Sequence, residues 1–381
     1  MNGSGVLAEA LLVSADTCYC LPGYPVTTLT EATGAERTVN EKVALEYAIG
    51  DSLAGRRSAV ILKNVGLNAC ADTLVNATTQ GVRGGVVVIA GDDLGVLASQ
   101  NRQDSRNYAA VADVPVFDAR ERGAGGIVEA AFRASERFSR VAIIRATSTF
   151  LESEVSGEIA EPERHFGEVA GWQLTMRGRV EAAAIRTQEM ADWAESRGHV
   201  IVSPPCCLDL PGDEPETMQK RGYSRTFCSG CPFLPALSVL KEKGIRVISD
   251  IGCSVLATNP PYETAIAAYS LGSSVAIAAH STGVALTGDG ALLHSGINAL
   301  IDVYEKRRPL LCIVLRNNVM AMTGRQETPD VLRYISWADP ETIASDDIRT
   351  IREAIYIPDR PRTLVITGRC PEGAGYESIE Y

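Results

Sequence analysis

The stretch Val284-Ala285-Leu286-Thr287-Gly288-Asp289-Gly290, followed beyond residues 291–316 by Asn317-Asn318, decides the fold. Val284–Thr287 is a short apolar run that reads as a buried strand ending on Gly-Asp-Gly. Ser295–Tyr304 has helical spacing, and Leu310–Leu315 is a second apolar run ending at Arg316. Strand, helix, strand is one right-handed crossover. It sets Asp289 and Asn317 at the carboxyl ends of two parallel strands, the edge where open α/β sheets bind ligands. A carboxylate, a carboxamide oxygen and a backbone carbonyl there supply three of the roughly six oxygens that Mg²⁺ takes, and a diphosphate supplies two more. Gly288 and Gly290 let backbone N–H groups approach phosphates at the start of the helix. A surface turn plus an unrelated Asn-Asn turn is the plainer reading, and it leaves the spacing to accident.

The same rhythm extends in both directions. Ala59–Leu62, Gly85–Ala90 and Arg140–Ile144 read as buried strands and Asn40–Leu53 as a helix; further on, Arg246–Ser249 and Arg362–Thr367 read as strands and Ala265–Ala279 as a helix. The expectation is an α/β protein with two doubly wound parallel-sheet domains, residues 1–150 and 221–381. A connector, 151–220, joins them and includes the proline-rich segment Ser203–Glu216. The 381 residues are long enough for two cores, and 45% apolar with 22% charged is the composition of a globular protein. A net charge of −11 leaves no basic footprint for nucleic acid. No apolar run reaches the length of a membrane span, and the N-terminus lacks a secretory pattern, so a cytoplasmic location is expected. In that compartment the ten cysteines read as thiols or metal ligands.

Longer matches surround the core motif. Gly288–Ile297 and Ala321-Met322-Thr323-Gly324-Arg325-Gln326 extend it. Cys228-Ser229-Gly230-Cys231-Pro232 and Asp250-Ile251-Gly252-Cys253 precede it. In the N-terminal half stand Gly23-Tyr24-Pro25-Val26-Thr27-Thr28, Val39–Glu46, Lys63-Asn64-Val65-Gly66-Leu67-Asn68 and Ser99-Gln100-Asn101. Together these resemble the large subunit of indolepyruvate:ferredoxin oxidoreductase, one of the thiamine-diphosphate-dependent 2-oxo acid:ferredoxin oxidoreductases; the resemblance is weakest over 151–220. It implies one domain for the pyrimidine end of thiamine diphosphate and one for the diphosphate. It implies Mg²⁺ on Asp289, the Asn317 side chain and the Val319 carbonyl, with Asn318 the neighbouring alternative, and cofactor contacts at Gly288, Gly290, Pro25, Asn68 and Met322. It places on Glu41 the carboxylate that bonds N1′ of the aminopyrimidine, and on Thr27 a contact to substrate. His294, one turn past Gly290, could face the cofactor.

Read without the resemblance, these positions stay open. Glu41 is equally a capping-box acid in the first turn of its helix, with Glu46 the nearest rival for the catalytic role. Thr27 is equally a turn residue, and His294 a capping or packed histidine. Cys228-x-x-Cys231 alone fits structural zinc, half an iron–sulfur site or chance. The resemblance implies a [4Fe–4S] cluster on Cys228, Cys231, Cys253 and Cys370. Cys18, Cys20, Cys70, Cys206, Cys207 and Cys312 show no ligand spacing, and Cys312 reads as core.

The implied activity is oxidative decarboxylation of a 2-oxo acid, with electrons leaving through the cluster to ferredoxin and coenzyme A accepting the acyl group. The implied assembly is a homodimer with a small partner subunit. The resembled subunit carries a C-terminal ferredoxin-like domain, whereas this sequence stops at Tyr381 soon after Cys370. That departure keeps a non-oxidative 2-oxo acid decarboxylase of the same fold as an alternative. A non-catalytic scaffold is the third reading, against which the intact Asp289, Asn317 and Glu41 argue.

Overall fold

The computed structural model describes residues 1–169, 175–205, 222–373, 375 and 377–380. The chain divides into two compact units, 1–216 and 217–381.

The first unit is built on a seven-stranded sheet of order β2-β1-β3-β4-β6-β5-β7. Its strands are β1 (Thr17–Cys20), β2 (Glu36–Arg37), β3 (Ser58–Lys63), β4 (Val86–Asp92), β5 (Val116–Asp118), β6 (Ala142–Thr147) and β7 (Ile201–Val202). All neighbours are parallel except β5 and β7. The sequences of β3, β4 and β6 are nearly unbroken aliphatic runs because both faces are covered, and almost every residue in them is buried. Helices α1 (Gly3–Ser14), α2 (Thr27–Thr33), α3 (Glu41–Leu53) and α4 (Gly66–Gln80) follow in the same unit.

The segment expected as a connector is largely part of this unit. Helix Met176–Ser196 packs on helix Ala124–Phe138, with the Trp193 and Phe138 rings 6.1 Å apart, and β7 adds the last strand. The Glu163 and His165 N–H groups donate to Glu129 and Glu136, whose carboxylates also grip the buried Arg57 on β3's leading end. Around residues 163–165 the docking is carried by polar contacts, which hydrophobic patterning does not mark. Cys206, Cys207 and most of Ser203–Glu216 lie outside the described residues.

The second unit has a six-stranded, wholly parallel sheet of order β10-β9-β11-β12-β16-β15. With β8 (Tyr223–Thr226) ahead of them, these are β9 (Val247–Ser249), β10 (Ala265–Ala267), β11 (Val284–Gly288), β12 (Leu310–Arg316), β15 (Glu341–Ala344) and β16 (Pro361–Thr367). Two small antiparallel pairs accompany them: β13 (Val319–Met320) with β14 (Gln326–Glu327), and β8 with β17 (Glu377–Glu380).

One helix is shorter than the sequence suggested. Ala265–Ala267 is an edge strand, and only Ser274–Ala279 is helical. The break is made at Gly272, which has φ +87°. A Cβ there would lie 2.3 Å from Ser295 Oγ and 2.5 Å from the Gly296 nitrogen, so only glycine fits. The alanine-rich composition carries no mark of this turn.

Candidate active site

In the second unit Asp289 follows β11 directly and Asn317 follows β12 directly, and Gly288 stands opposite Leu315 in the ladder. The crossover therefore brings the two halves of the motif to one sheet edge. Asp289 is buried. Its Oδ1 accepts the Gly290 N–H at 2.8 Å and its Oδ2 accepts the Asn318 N–H at 2.7 Å, so one carboxylate ties both halves. The Thr328 hydroxyl also donates to Oδ2, at a long 3.4 Å, so a cation would compete with it for that oxygen. Burial pushes the Asp289 carboxyl above the usual carboxylate range, against the pull of the N–H bonds from Asn318 and Gly290. A dication is the partner that restores the ionised form.

Asn318 has φ +58°, a left-handed conformation that asparagine tolerates, and is exposed while its N–H turns inward to Asp289. Asn317 is half-buried; its Oδ1 accepts the Val319 N–H at 3.2 Å and its Nδ2 donates to Cys370 Sγ at 3.2 Å. A Cβ on Gly290 would stand 2.3 Å from Met320 Sδ, so a side chain there would have to push the flexible Met320 aside. His294 and Met322 are both exposed.

The four cysteines lie on loops at strand ends. Cys228 and Cys231 follow β8, Cys253 follows β9, and Cys370 follows β16. Gly368 permits a close approach here, since a Cβ on it would meet Pro232 Cβ at 2.5 Å. Burial pushes the Cys231 thiol up to about 12, and the charges of Cys228, Cys370 and Cys253 add to the rise, so the four share one neighbourhood. Among the described residues no group of three or more His, Cys, Asp or Glu side chains stands in metal-ligating geometry.

Asp250, directly after β9, is a structural carboxylate. It is fully buried, accepts the Gly272 N–H at 2.7 Å and the Ser274 hydroxyl at 2.7 Å, and thereby pins the turn that precedes helix Ser274–Ala279. Its signal was present in Asp250-Ile251-Gly252-Cys253, but no spacing linked it to Ser274.

In the first unit Asn40 caps α3 by accepting the Val43 N–H at 2.9 Å, which makes Glu41 the first helical residue. A capping-box acid sits two positions further on, so that reading of Glu41 fails. The Glu41 carboxylate is half-buried and forms no ion pair or side-chain hydrogen bond among the described residues. It rests against Gly66, where an added Cβ would lie 2.8 Å from Oε1. Glu46, by contrast, is buried and engaged by the Thr73 hydroxyl and by Lys42.

Pro25 and Val26 are buried over the end of β4, where Gly91 leaves room that a Cβ would fill 2.5 Å from Val26 Cγ1. Thr27 opens α2 and is exposed. Asn68, on the first turns of α4, accepts the Tyr108 hydroxyl at 2.8 Å and donates to Gln103 Oε1 at 2.9 Å.

Residues 246–355 match the thiamine pyrophosphate enzyme, C-terminal TPP binding domain family. Within the parallel α/β fold, residues 246–355 thus carry a domain of the thiamine-pyrophosphate-binding class. Among curated proteins the chain is similar to indolepyruvate oxidoreductase subunit IorA of Pyrococcus abyssi, 35% identical over 44% of this chain and 28% of that one. It is similar too to the subunit of that name from Methanothermobacter marburgensis, 25% identical over 77% of this chain and 69% of the other. The matches thus span from about a quarter to about two thirds of these relatives' lengths. Among solved structures it shares its fold with the thiamine diphosphate-dependent 4-hydroxybenzoylformate decarboxylase of Rhodococcus jostii. The TM-score is 0.62 at 13% identity, over 98% of this chain and 100% of that one. Among the described residues no helix is long and apolar enough to cross a membrane.

Proposed function

We propose that the protein decarboxylates a 2-oxo acid of the aryl pyruvate class with thiamine diphosphate and Mg²⁺, and passes electrons through a [4Fe–4S] cluster to ferredoxin, with coenzyme A as acyl acceptor. The observation that carries the reading is the buried Asp289 carboxylate at the sheet edge, held by N–H groups from both halves of the motif. Asp289, the Asn317 carboxamide oxygen and the Val319 carbonyl would hold Mg²⁺. Thiamine diphosphate supplies the electron sink that lets a 2-oxo acid lose carbon dioxide. Glu41 is the residue for the N1′ proton of the aminopyrimidine: its carboxylate has no ion-pair or side-chain hydrogen-bond partner among the described residues, whereas that of Glu46 is taken. Cys228, Cys231, Cys253 and Cys370 would hold the cluster, which requires their loops to draw together from the arrangement described above, where they do not stand in ligating geometry. The curated relatives' name is the ground for an indolepyruvate-like substrate and for assembly with a small partner subunit. A homodimer is the simplest closed arrangement for two such sites.

The test is carbon dioxide release from indolepyruvate under anoxic conditions, with a viologen dye as electron acceptor. Release that requires both Mg²⁺ and thiamine diphosphate, coupled to dye reduction, supports the full reading. Release without dye reduction retains decarboxylation and removes the electron-transfer half. Cofactor binding without release from indolepyruvate, phenylpyruvate or pyruvate overturns the 2-oxo acid assignment.

A further inference from the structure

A 2-oxo acid brings a carboxylate to the site, and none of the residues placed above answers it with positive charge. Lys63 is the last residue of β3, at the carboxyl edge of the first unit's sheet and three positions before Gly66, on which the Glu41 carboxylate rests. A Cβ added to Gly23 would lie 3.5 Å from Lys63 Cβ and 3.6 Å from its Cδ, so the lysine stem runs along the turn that leads to Thr27. Its ammonium donates to Gln100 Oε1 at 2.9 Å and forms no ion pair among the described residues, although the Asp93 carboxylate, engaged by the Leu97 and Ala98 N–H groups, lies within its electrostatic reach. Other basic groups of this edge are neutralised: Arg145 lies between Asp92 and Asp118, and Arg106 lies on Asp104.

The chemistry of the pair is informative. An ammonium has no acceptor, so the Gln100 oxygen must face Lys63 and its NH₂ must face away. Lys63 keeps two N–H donors and Gln100 two more. A buried clamp fixes the loop that carries Gln100, since the Asn64 amide donates to the Gln103 carbonyl at 2.7 Å and Gln103 Nε2 donates back to the Asn64 carbonyl at 2.8 Å. A carboxylate, with two oxygens, is the complement: one oxygen on the ammonium and one on the amide.

We infer that Lys63 and Gln100 read the carboxylate of the substrate. This rests on the 2-oxo acid reading and deepens it. Because the carboxylate is bound before it is lost, the pair contributes to ground-state binding, so its removal raises KM and leaves kcat largely unchanged.

The experiment compares wild type, Lys63→Met, Lys63→Arg, Gln100→Glu and Arg102→Gln, each loaded with thiamine diphosphate and Mg²⁺. KM and kcat are read from carbon dioxide release with indolepyruvate, and inhibition constants are measured for indolelactate and its uncharged primary amide. Lys63→Met should raise KM on the order of 10–100-fold, as for a lost charge-assisted hydrogen bond. It should also erase the preference for lactate over amide, with cofactor affinity by calorimetry unchanged. Gln100→Glu, at an exposed position, should do the same by neutralising the ammonium, and Lys63→Arg should restore part of the preference. Arg102→Gln, exposed on the same loop, should behave as wild type. An active wild type whose KM moves less than threefold in Lys63→Met, or a loss of preference in Arg102→Gln instead, overturns the assignment to Lys63. A wild type that binds cofactor yet decarboxylates no 2-oxo acid overturns the function itself.

Discussion

The Asn317 amide nitrogen donates to the Cys370 sulfur at 3.2 Å. One carboxamide thus stands between the strand-end carboxylate site and the cysteine loops, with its oxygen on the Val319 N–H. A change on either side is felt by the other through a single rotatable group. Asn317→Ala is therefore expected to weaken Mg²⁺-dependent cofactor binding and to slow alkylation of Cys370, whose thiolate loses a hydrogen-bond donor. Peptide mapping of iodoacetamide-labelled protein, run beside cofactor titration, measures both. An unchanged Cys370 rate would show that the contact does not support the thiolate.

Asp289→Asn should abolish Mg²⁺-dependent thiamine diphosphate binding in calorimetry, and because an amide can accept only one of the Gly290 and Asn318 N–H bonds, the gain from removing the buried charge should be offset in the melting temperature of the cofactor-free protein. The sign follows from burial, which raises the carboxyl's pKa above its unfolded value. The folded state then holds the proton more tightly than the unfolded chain, so the ionised carboxylate costs stability at neutral pH, and that cost falls as pH drops through the raised value. Metal binding needs the ionised form, so in wild type the cofactor affinity should weaken on mild acidification. Affinity that is flat with pH, or retained in the variant, would sink the ligand assignment.

Glu41→Gln keeps shape and volume but loses the carboxylate. Thiamine diphosphate should still bind, while turnover falls on the order of 10²–10⁴-fold, the usual loss for a general acid–base group. Gly66→Ala should give a milder copy of that defect, because its Cβ would lie 2.8 Å from Glu41 Oε1 and displace it. Deuterium exchange at the thiazolium C2 reads the proton transfer directly. Wild-type exchange in Glu41→Gln would remove the residue from the chemistry.

Arg57 tests the packing of the first unit. It is 1% exposed and bonds Glu129, Glu136 and the Glu163 carbonyl. Arg57→Met would leave two carboxylates buried without their cation, and breaking one partner out of a buried pair typically costs about 3–5 kcal/mol. Urea unfolding should show a loss of that order. A loss below about 1 kcal/mol would mean that water reaches the carboxylates.

How much of this was legible depends on what kind of contact carries each feature. The strands β3, β4, β11 and β12 were readable because parallel strands covered on both faces must be aliphatic throughout, and the Asp289–Asn317 pairing followed from one crossover. The docking of residues 163–167 was not, because it rests on backbone N–H groups meeting Glu129, Glu136 and the Arg83 carbonyl, and a backbone group has no letter. Gly66 and Gly272 were visible only as glycines; what each excludes, the Glu41 carboxylate and the Ser295–Gly296 turn, is set by distant chain. The separation of Glu41 from Glu46 likewise needed the partners of each, since both lie on one helix.

The last prediction concerns the thiols. Burial pushes Cys231 up to about 12 and Cys253 up to about 11, with nearby thiols adding to both. Both groups are therefore protonated at neutral pH, and any metal that takes them as thiolates must displace their protons. Two outcomes follow. Iron loading of the cofactor-free protein under anoxia should release protons, measurable as acidification in weak buffer, and should accelerate as pH rises. Stability of the metal-free fold should fall from about pH 9 upward, because the unfolded chain, with ordinary thiols, loses its protons first and so binds fewer than the folded state in that window. Cys231→Ser removes the larger part of the effect, and denaturant titrations at pH 8 and pH 10 compare the two proteins. A wild type equally stable at both pH values, or iron uptake with no proton release, would show that the thiols are already ionised and that the loops open to water more than their burial indicates.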